Sequence, residues 1–311
     1  MAFTNASGYN NLAQGNFTPQ IFSQKVQKFF RRASVVEDIT YTDYAGEIEN
    51  FGDTVKIIKE PTITVKDYAR GQTVDTQVLA DDQITMTVDQ GSYFAFKVDD
   101  IEERQSHVNF EALATSSGAY SLKKAYDYNV LKFIYDNAST NASATGTDGS
   151  PIDGDAAVDT LANVISSAKR VLDKNDVPED NRWLVAPPEF FQQLRKAGAK
   201  LSDQSVMADG GASQIRNGMV TDKPLFGFNM YSTNAIAVSS GSAASHTFGS
   251  SGSNEFAFLY GHMSGVATVN HIAKTELIRD PDSFADIVRG LHVYGRKILR
   301  DEGVRSGVVT L

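Results

Sequence analysis

The alternation of apolar and polar residues between positions 50 and 99 gives the strongest structural signal in this chain. Ile84, Met86 and Val88 alternate with threonine, and the run from 93 to 98 alternates in the same way. A period of two residues is typical of a half-buried β strand. Two more β-rich runs precede these, so we expect strands at 54–58, 62–65, 84–88 and 93–98.

The segment between the second and third of these runs, KDYARGQTVDTQVLADD, is polar and charged, and Gly71 marks its turn. The runs therefore predict a long β hairpin with a polar tip. An isolated two-stranded hairpin is only marginally stable in water, so one of this length needs a surface to lie on. Few large apolar residues stand near the tip to draw it toward the chain's own core. We expect a neighbouring subunit to provide the support.

Three segments place their apolar residues at helical spacing, at 19–34, 99–137 and 158–172, and an interruption of the second near Ser116–Gly118 stays open. We interpret the first, PQIFSQKVQKFFRRAS, as an amphipathic helix on the core rather than as a membrane- or RNA-binding segment. Residues 1–20 are rich in Asn and Gly and carry only scattered apolar side chains. Such a segment forms either a frayed tail or an arm that becomes ordered on another surface.

A second module follows a linker at 137–155 and begins with the helix at 158–172. WLVAP (183–187) predicts a short buried strand, and PPEFFQQLRKAG predicts a helix with prolines at its start and glycine at its end. GMVTDKPLFGFNMYSTN indicates strand, turn and strand, and the Ser/Gly-rich residues 239–254 are typical of a low-complexity loop. The remainder predicts short strands with a charged turn at Arg279–Asp282.

Composition excludes several classes of protein. The 311 residues include 29 Lys and Arg against 38 Asp and Glu, and the net charge of −9 argues against a general nucleic-acid binder. Cysteine is absent, which excludes disulfides, thiolate metal sites and cysteine nucleophiles. No run of about 18 apolar residues predicts a membrane-spanning helix. The first twenty residues do not resemble a signal peptide, so we expect a soluble protein of the cytoplasm.

The sequence contains no convincing catalytic pattern. None of the five histidines has the spacing of a zinc metalloprotease, and neither a phosphate-binding P-loop nor a G-x-S-x-G motif is present. The pairs Asp81–Asp82, Asp99–Asp100 and Glu102–Glu103 fall at turns or at the start of a helix, where negative charge is expected on structural grounds. We therefore predict no catalytic residue, no cofactor and no metal site.

Three local segments and the order of the elements carry a resemblance to a known family. The segments are WLVAPPEFFQQL, LFGFNMYSTN and the closing DIVRGLHVYGRKILR, in which a Tyr-Gly pair precedes a basic strand end. With polar arm, amphipathic helix, long hairpin, long helix and second module in this order, the chain resembles the major capsid protein of tailed bacteriophages. The resemblance covers nearly all of the chain and implies the α+β Hong Kong 97-type fold.

The resemblance also implies a division into four parts. An N-terminal arm and helix occupy 1–35, and an extended hairpin loop occupies 50–98. The long spine helix belongs to a peripheral domain, and the remainder forms an axial domain around the centre of the capsomer. The peripheral domain is expected at 36–49, 99–149 and 266–311, and the axial domain at 150–265.

For function, the resemblance implies self-assembly as hexamers and pentamers into an icosahedral shell around double-stranded viral DNA. The protein is then expected in the virion capsid, after assembly in the host cytoplasm. Expected partners are other copies of the chain, a separate scaffolding protein, a portal protein and DNA held by confinement. The resemblance leaves open whether a decoration protein also binds, and no membrane contact is expected.

Charged residues at two turns are the candidates for contacts between subunits. Exposed ion pairs contribute little on their own, so simple solvated charges remain an equal alternative. Lys56, Lys59 and Lys66 could supply a cross-linking lysine of the kind some family members use, but no Asn or Glu partner can be matched. The candidate interface residues are Lys66, Asp67 and Arg70 near the hairpin tip, and Arg279, Asp280 and Asp282 in the C-terminal turn.

Three other functions stay open on the sequence alone. An encapsulin-type nanocompartment has the same fold but encloses a cargo protein. A soluble hydrolase would use His262 or His271, and a monomeric adhesion or binding module would use the Ser/Gly-rich loop at 239–254.

Overall fold

Two β sheets and one long helix organise the chain in this computed structural model. The structure describes residues 34–43, 54–61, 63–74, 76–78, 83–100, 110–147, 150–156, 160–194, 226–236 and 255–311. The helices are α1 (Val36–Ile39), α2 (Phe110–Asn137), α3 (Ala142–Thr145), α4 (Thr160–Lys174) and α5 (Pro188–Leu194). The strands are β1 (Thr54–Ile58), β2 (Gln83–Asp99), β3 (Ser139–Thr140), β4 (Ile152–Asp153), β5 (Arg182–Ala186), β6 (Asn229–Ser232), β7 (Glu255–His262), β8 (Val266–Arg279), β9 (Ala285–Ile298) and β10 (Val304–Thr310). Short 3₁₀ turns stand at Asn234–Ile236, Met263–Gly265 and Asp301–Gly303.

The first sheet is antiparallel and has the order β1-β2-β9-β8. Most residues of β2 alternate between exposed and half-buried, as the period of two in the sequence predicts. The runs at 84–88 and 93–98 are one continuous strand, and the register shifts between Val88 and Gln90. The expected strand at 62–65 does not form, because residues 63–65 have no strand partner among the described residues.

The second sheet has the order β3-β10-β7-β5-β6, and β4 also pairs with β10. All five residues of β5 are buried, which explains why WLVA is a continuous apolar run rather than an alternating one. Helix α4 packs the stripe that includes Leu161, Ile165 and Leu172 against this sheet, and α5 adds its two phenylalanines. The expected helix and strand of this module thus pack together in one core.

Helix α2 connects the cores of the two sheets. Its residues Val130, Leu131 and Ile134 are fully buried in a cluster that includes Trp183 from the second sheet and Tyr294 from the first. The helix predicted at 99–137 is described from residue 110 onward, and 101–109 lie outside the described residues. Because one helix contributes to a core shared by both sheets, it fixes their relative position.

Several predictions fall outside the described residues, among them the helix at 19–34 and the loop at 239–254. Strand β10 was assigned to the peripheral domain from the sequence, yet it pairs with β7, which was assigned to the axial domain. The division into domains otherwise stays a prediction. Among the described helices, none combines the length and apolar character needed to cross a membrane.

Candidate assembly surfaces

The hairpin that joins β1 to β2 is anchored in the first sheet at its base. Residues 54–58 pair in antiparallel register with 83–87. Beyond this ladder, the described residues 59–61, 63–74 and 76–78 form no strand and are all exposed. The hairpin expected from the sequence is therefore present, but the described residues of its outer part are exposed and form no ladder.

Local hydrogen bonds shape the outer part of the hairpin. Gln72 closes the tip, since its backbone N–H donates to the Ala69 carbonyl at 3.0 Å and its side-chain oxygen accepts from the Ala69 N–H at 3.1 Å. Gly71 takes the positive φ of 88° that this turn requires. Farther back, the Thr64 N–H donates to Oε1 of Gln77 at 3.0 Å, which joins the two arms.

Large apolar side chains are exposed along both arms, which corrects the expectation that few such residues stand near the tip. The candidate residues Lys66, Asp67 and Arg70 lie between them and are also exposed. Monomeric proteins rarely leave so many neighbouring apolar groups in water. The exposed fractions are 69% for Ile63, 93% for Val65, 68% for Tyr68, 73% for Val74 and 91% for Val78.

The turn between β8 and β9 holds the second group of candidate residues. Arg279 donates two hydrogen bonds to Asp100, at 2.7 and 2.5 Å, and a third to Asp286 at 3.1 Å. These bonds, first of all those to Asp100, raise the pKa of Arg279. The guanidinium therefore ties the start of the turn to the end of β2 within one subunit.

Asp280 is held in a similar way. It accepts a hydrogen bond from Lys97 at 2.5 Å, one from the Ser283 hydroxyl at 2.6 Å and one from the Asp282 N–H at 3.1 Å. These donors, Lys97 foremost, lower the pKa of Asp280. The neighbouring Phe284 is 80% exposed, so a rigid charged turn presents an apolar side chain to the solvent.

A further charged group lies on the first sheet itself. Glu276 on β8 accepts hydrogen bonds from Lys274 and from Arg289 on β9, and these partners lower its pKa to about 2. Tyr93 and Leu291 are paired across β2 and β9 and are both exposed beside it. The same open face thus combines an ion-pair cluster with apolar side chains.

The structure brings together Arg279, Asp280 and Asp282 in one turn, and it places the hairpin residues on a separate element. The partners Lys97 and Asp100 were missed, because the sequence alone does not give the register of β2 against β9. The exposed apolar residues were missed for another reason. Val65, Val74 and Val78 resemble ordinary strand residues in a sequence, and only the absence of a ladder marks them as surface.

Chemistry outside these surfaces is limited in the part of the chain that the structure describes. No group of three or more His, Asp or Glu residues there could hold a metal ion. His262, one candidate of the hydrolase hypothesis, lies 2.8 Å from the Ser264 hydroxyl and 3.8 Å from Asp180. Its Nδ1 also accepts the backbone N–H of Ser264 at 3.2 Å, so the ring serves as the cap of a turn.

Comparison with known proteins gives one family and many similar structures. The sequence model of a family described as phage capsid protein matches residues 81–307. A solved structure from Mycobacterium phage Che8 is 29% identical, with a TM-score of 0.78 over 95% of this chain and 98% of the other. No curated protein is significantly similar to the sequence.

Two more distant structures share the fold. The capsid structure of cyanophage P-SCSP1u is 17% identical and has a TM-score of 0.70 over 100% of this chain and 99% of the other. The asymmetric unit of the bacteriophage PhiM1 mature capsid is 18% identical, with a TM-score of 0.69 over 94% and 92%.

Proposed function

Since this chain belongs to the phage capsid protein family, we propose that its copies assemble as hexamers and pentamers into an icosahedral shell around double-stranded viral DNA. The chain is a structural major capsid protein, with its place in the virion capsid. The family and the α+β fold expected from the sequence are confirmed.

The exposed apolar residues of the hairpin carry this proposal. Each arm presents valine side chains to water, and no described residue of the same subunit covers them. Burying one such side chain contributes about 1.5–3 kcal/mol. Contact with a neighbouring copy is the arrangement in which a subunit gains this energy without changing its own fold.

Many modest contacts suit a closed shell better than one strong contact. Each subunit has at least two surfaces of this kind, the hairpin and the turn at Arg279–Ala285 with its exposed Phe284. Linked contacts of moderate strength give high overall avidity, while each contact remains weak enough to be broken and corrected. The hairpin residues Lys66, Asp67 and Arg70 would then face a neighbour and contribute to the choice of register.

Substitution of the hairpin provides the test. Val65, Tyr68 and Val78 are replaced together by serine, and a control variant carries Thr73→Ala and Thr76→Ala on the second arm. We expect the serine variant to form no closed particles in negative-stain micrographs, because the driving contact is lost. The control should assemble normally, since Thr73 and Thr76 are exposed polar residues.

The stability of the serine variant must also be measured, so that a failure to assemble is not mistaken for a failure to fold. Thermal unfolding of the unassembled serine variant should match that of the original chain, because the three side chains are already exposed. A second variant replaces residues 61–80 by a short Gly/Ser linker and keeps the ladder of 54–58 with 83–87. Normal shells from either variant would refute the role assigned to the hairpin.

The proposed shell also requires partners other than copies of this chain. A separate scaffolding protein, a portal protein and confined DNA are the partners of this assembly in the host cytoplasm, and the net charge of −9 suits a shell that should not adhere to phosphates. An encapsulin-type shell is not favoured, because the matching family is one of phage capsid proteins. Genomic DNA inside purified particles, rather than a protein cargo, would support the viral function.

A further inference from the structure

The chain passes between the two sheets twice at nearly the same place. The turn Met263–Gly265 leads from β7 to β8, and the turn Asp301–Gly303 leads from β9 to β10. The Gly265 carbonyl accepts the N–H of Leu299 at 2.9 Å, so the two passages are hydrogen bonded to each other. They form the paired crossover, which we define as residues 262–265 and 299–303.

Glycine permits the close approach within the paired crossover. A Cβ atom on Gly265 would lie 2.3 Å from Cγ2 of Val304, and one on Gly261 would lie 2.5 Å from the Gly303 carbonyl oxygen. Gly261 therefore packs directly on the backbone of Gly303, and Gly265 packs on the side chain of Val304. A cavity of about 450 Å³, lined in part by Ser264, lies beside it.

His262 closes the first of these turns. Its Nδ1 atom accepts the Ser264 backbone N–H at 3.2 Å and lies 2.8 Å from the Ser264 hydroxyl. A backbone N–H can only donate, so Nδ1 carries no proton in this arrangement. The ring is then neutral with its proton on Nε2, which is buried close to Asp180.

Charged groups face the ring from three other elements. Asp180, in the loop before β5, lies 3.8 Å from Nε2 and favours protonation. Arg182 on β5 and Arg300 in the second passage oppose it, and burial opposes it most. The balance lowers the pKa of His262 below its ordinary value of 6.5, so the ring is neutral at neutral pH and gains a proton only under more acidic conditions.

We propose that His262 is a proton-operated latch on the paired crossover: the neutral ring keeps the turn Met263–Gly265 closed, and the protonated ring releases this turn so that the paired crossover opens locally. A proton on Nδ1 removes the acceptor of the Ser264 N–H. The Ser264 hydroxyl can still accept from Nδ1–H, and Asp180 attracts the new charge at Nε2. The ring therefore exchanges one set of partners for another, and the turn loses its cap.

The latch is tested by amide hydrogen exchange on the full-length, unassembled chain between pH 8 and pH 5. After correction for the intrinsic effect of pH on exchange, peptides covering 261–266 and 298–304 should exchange about fivefold faster at the acidic end, as expected for the loss of one hydrogen bond. Because the measurement uses unassembled protein, it is independent of shell formation.

Two substitutions separate the latch from general acid sensitivity. His262→Asn places a non-titrating oxygen near the position of Nδ1, so exchange should stay slow at every pH. His262→Ala removes the acceptor, so exchange should be fast at every pH. If this variant does not fold, the exchange of the asparagine variant still tests the latch. His292→Asn is the matched control on β9, away from the crossover, and should keep the original pH response.

Three results would overturn the proposal. The first is an original chain whose crossover peptides show no acceleration at acidic pH. The second is an asparagine variant that accelerates like the original chain. The third is loss of the response in His292→Asn, which would place the titrating group on the first sheet.

Discussion

At the scale of single residues, the ring of Phe94 shows how tightly helix and sheet meet. A Cβ atom on Gly290 of β9 would lie 2.3 Å from Cε1 of this ring, and one on Gly118 of α2 would lie 2.9 Å from Cδ2. The ring thus occupies the space that two glycines leave free, one on each side. Neither glycine has a positive φ, so the requirement is for space and not for backbone freedom.

Adding one methyl group should therefore disturb this contact. We expect Gly290→Ala to lower the free energy of unfolding by about 1–3 kcal/mol, because the alanine forces the ring of Phe94 to move in a packed layer. Urea unfolding of the unassembled chain measures this change. The matched control is Gly91→Ala on the adjacent strand, where the nearest atom to the new Cβ, Cγ2 of Val293, lies 4.0 Å away.

The control defines what would contradict the interpretation. Equal losses in Gly290→Ala and Gly91→Ala would mean that strand glycines matter for reasons other than the ring. Combining Gly290→Ala with Phe94→Leu should recover part of the loss, because the smaller side chain leaves room for the methyl group.

At the scale of elements, Arg182 joins the end of helix α4 to strand β5. Its side chain is only 2% exposed and donates to Asp173 at 2.6 Å, to the Pro178 carbonyl at 2.7 Å and to the Val177 carbonyl at 2.5 Å. A buried guanidinium is tolerated because all these acceptors are in place. Arg182 therefore holds the end of helix α4 and the loop that follows it against strand β5.

Loss of these hydrogen bonds should destabilise the folded chain. We expect Arg182→Met to lower the free energy of unfolding by about 3 kcal/mol, because two carbonyl groups lose their donors and a charged hydrogen bond disappears. Chemical denaturation followed by the fluorescence of Trp183 reports the change. Asp173→Asn is the control: its side chain is 42% exposed and keeps an oxygen acceptor, so a loss above about 1 kcal/mol there would assign the effect to charge.

The elements also show what a single sequence can predict. The strand at 183–187 and the helix at 158–172 were predicted nearly to the residue, because a short apolar run followed by two prolines and a clear helical stripe are both strong local patterns. The expected strand at 62–65 was wrong, since β propensity needs a partner strand. The ion pairs of Lys97 and Asp280 depend on register, which no local pattern contains.

At the scale of the whole molecule, net charge opposes association. Each subunit carries −9, so copies repel one another before their hairpins and turns can make contact. We expect assembly to increase when salt is raised from very low ionic strength, because screening weakens this repulsion over about 10 Å at 0.1 M salt. Light scattering of the purified chain against salt concentration tests this, and a steady fall in assembly would contradict it.

Strand β10 lies inside the second sheet, between β3 and β7, although it follows both in the chain. During synthesis on a ribosome, β7 emerges well before the strand that will cover its edge. The sheet can therefore close only after β8, β9 and the second passage have also left the exit tunnel. A nascent chain interrupted anywhere before residue 304 leaves the edge of β7 without β10, so we expect such a fragment to be cleaved by proteases more readily than the full-length chain.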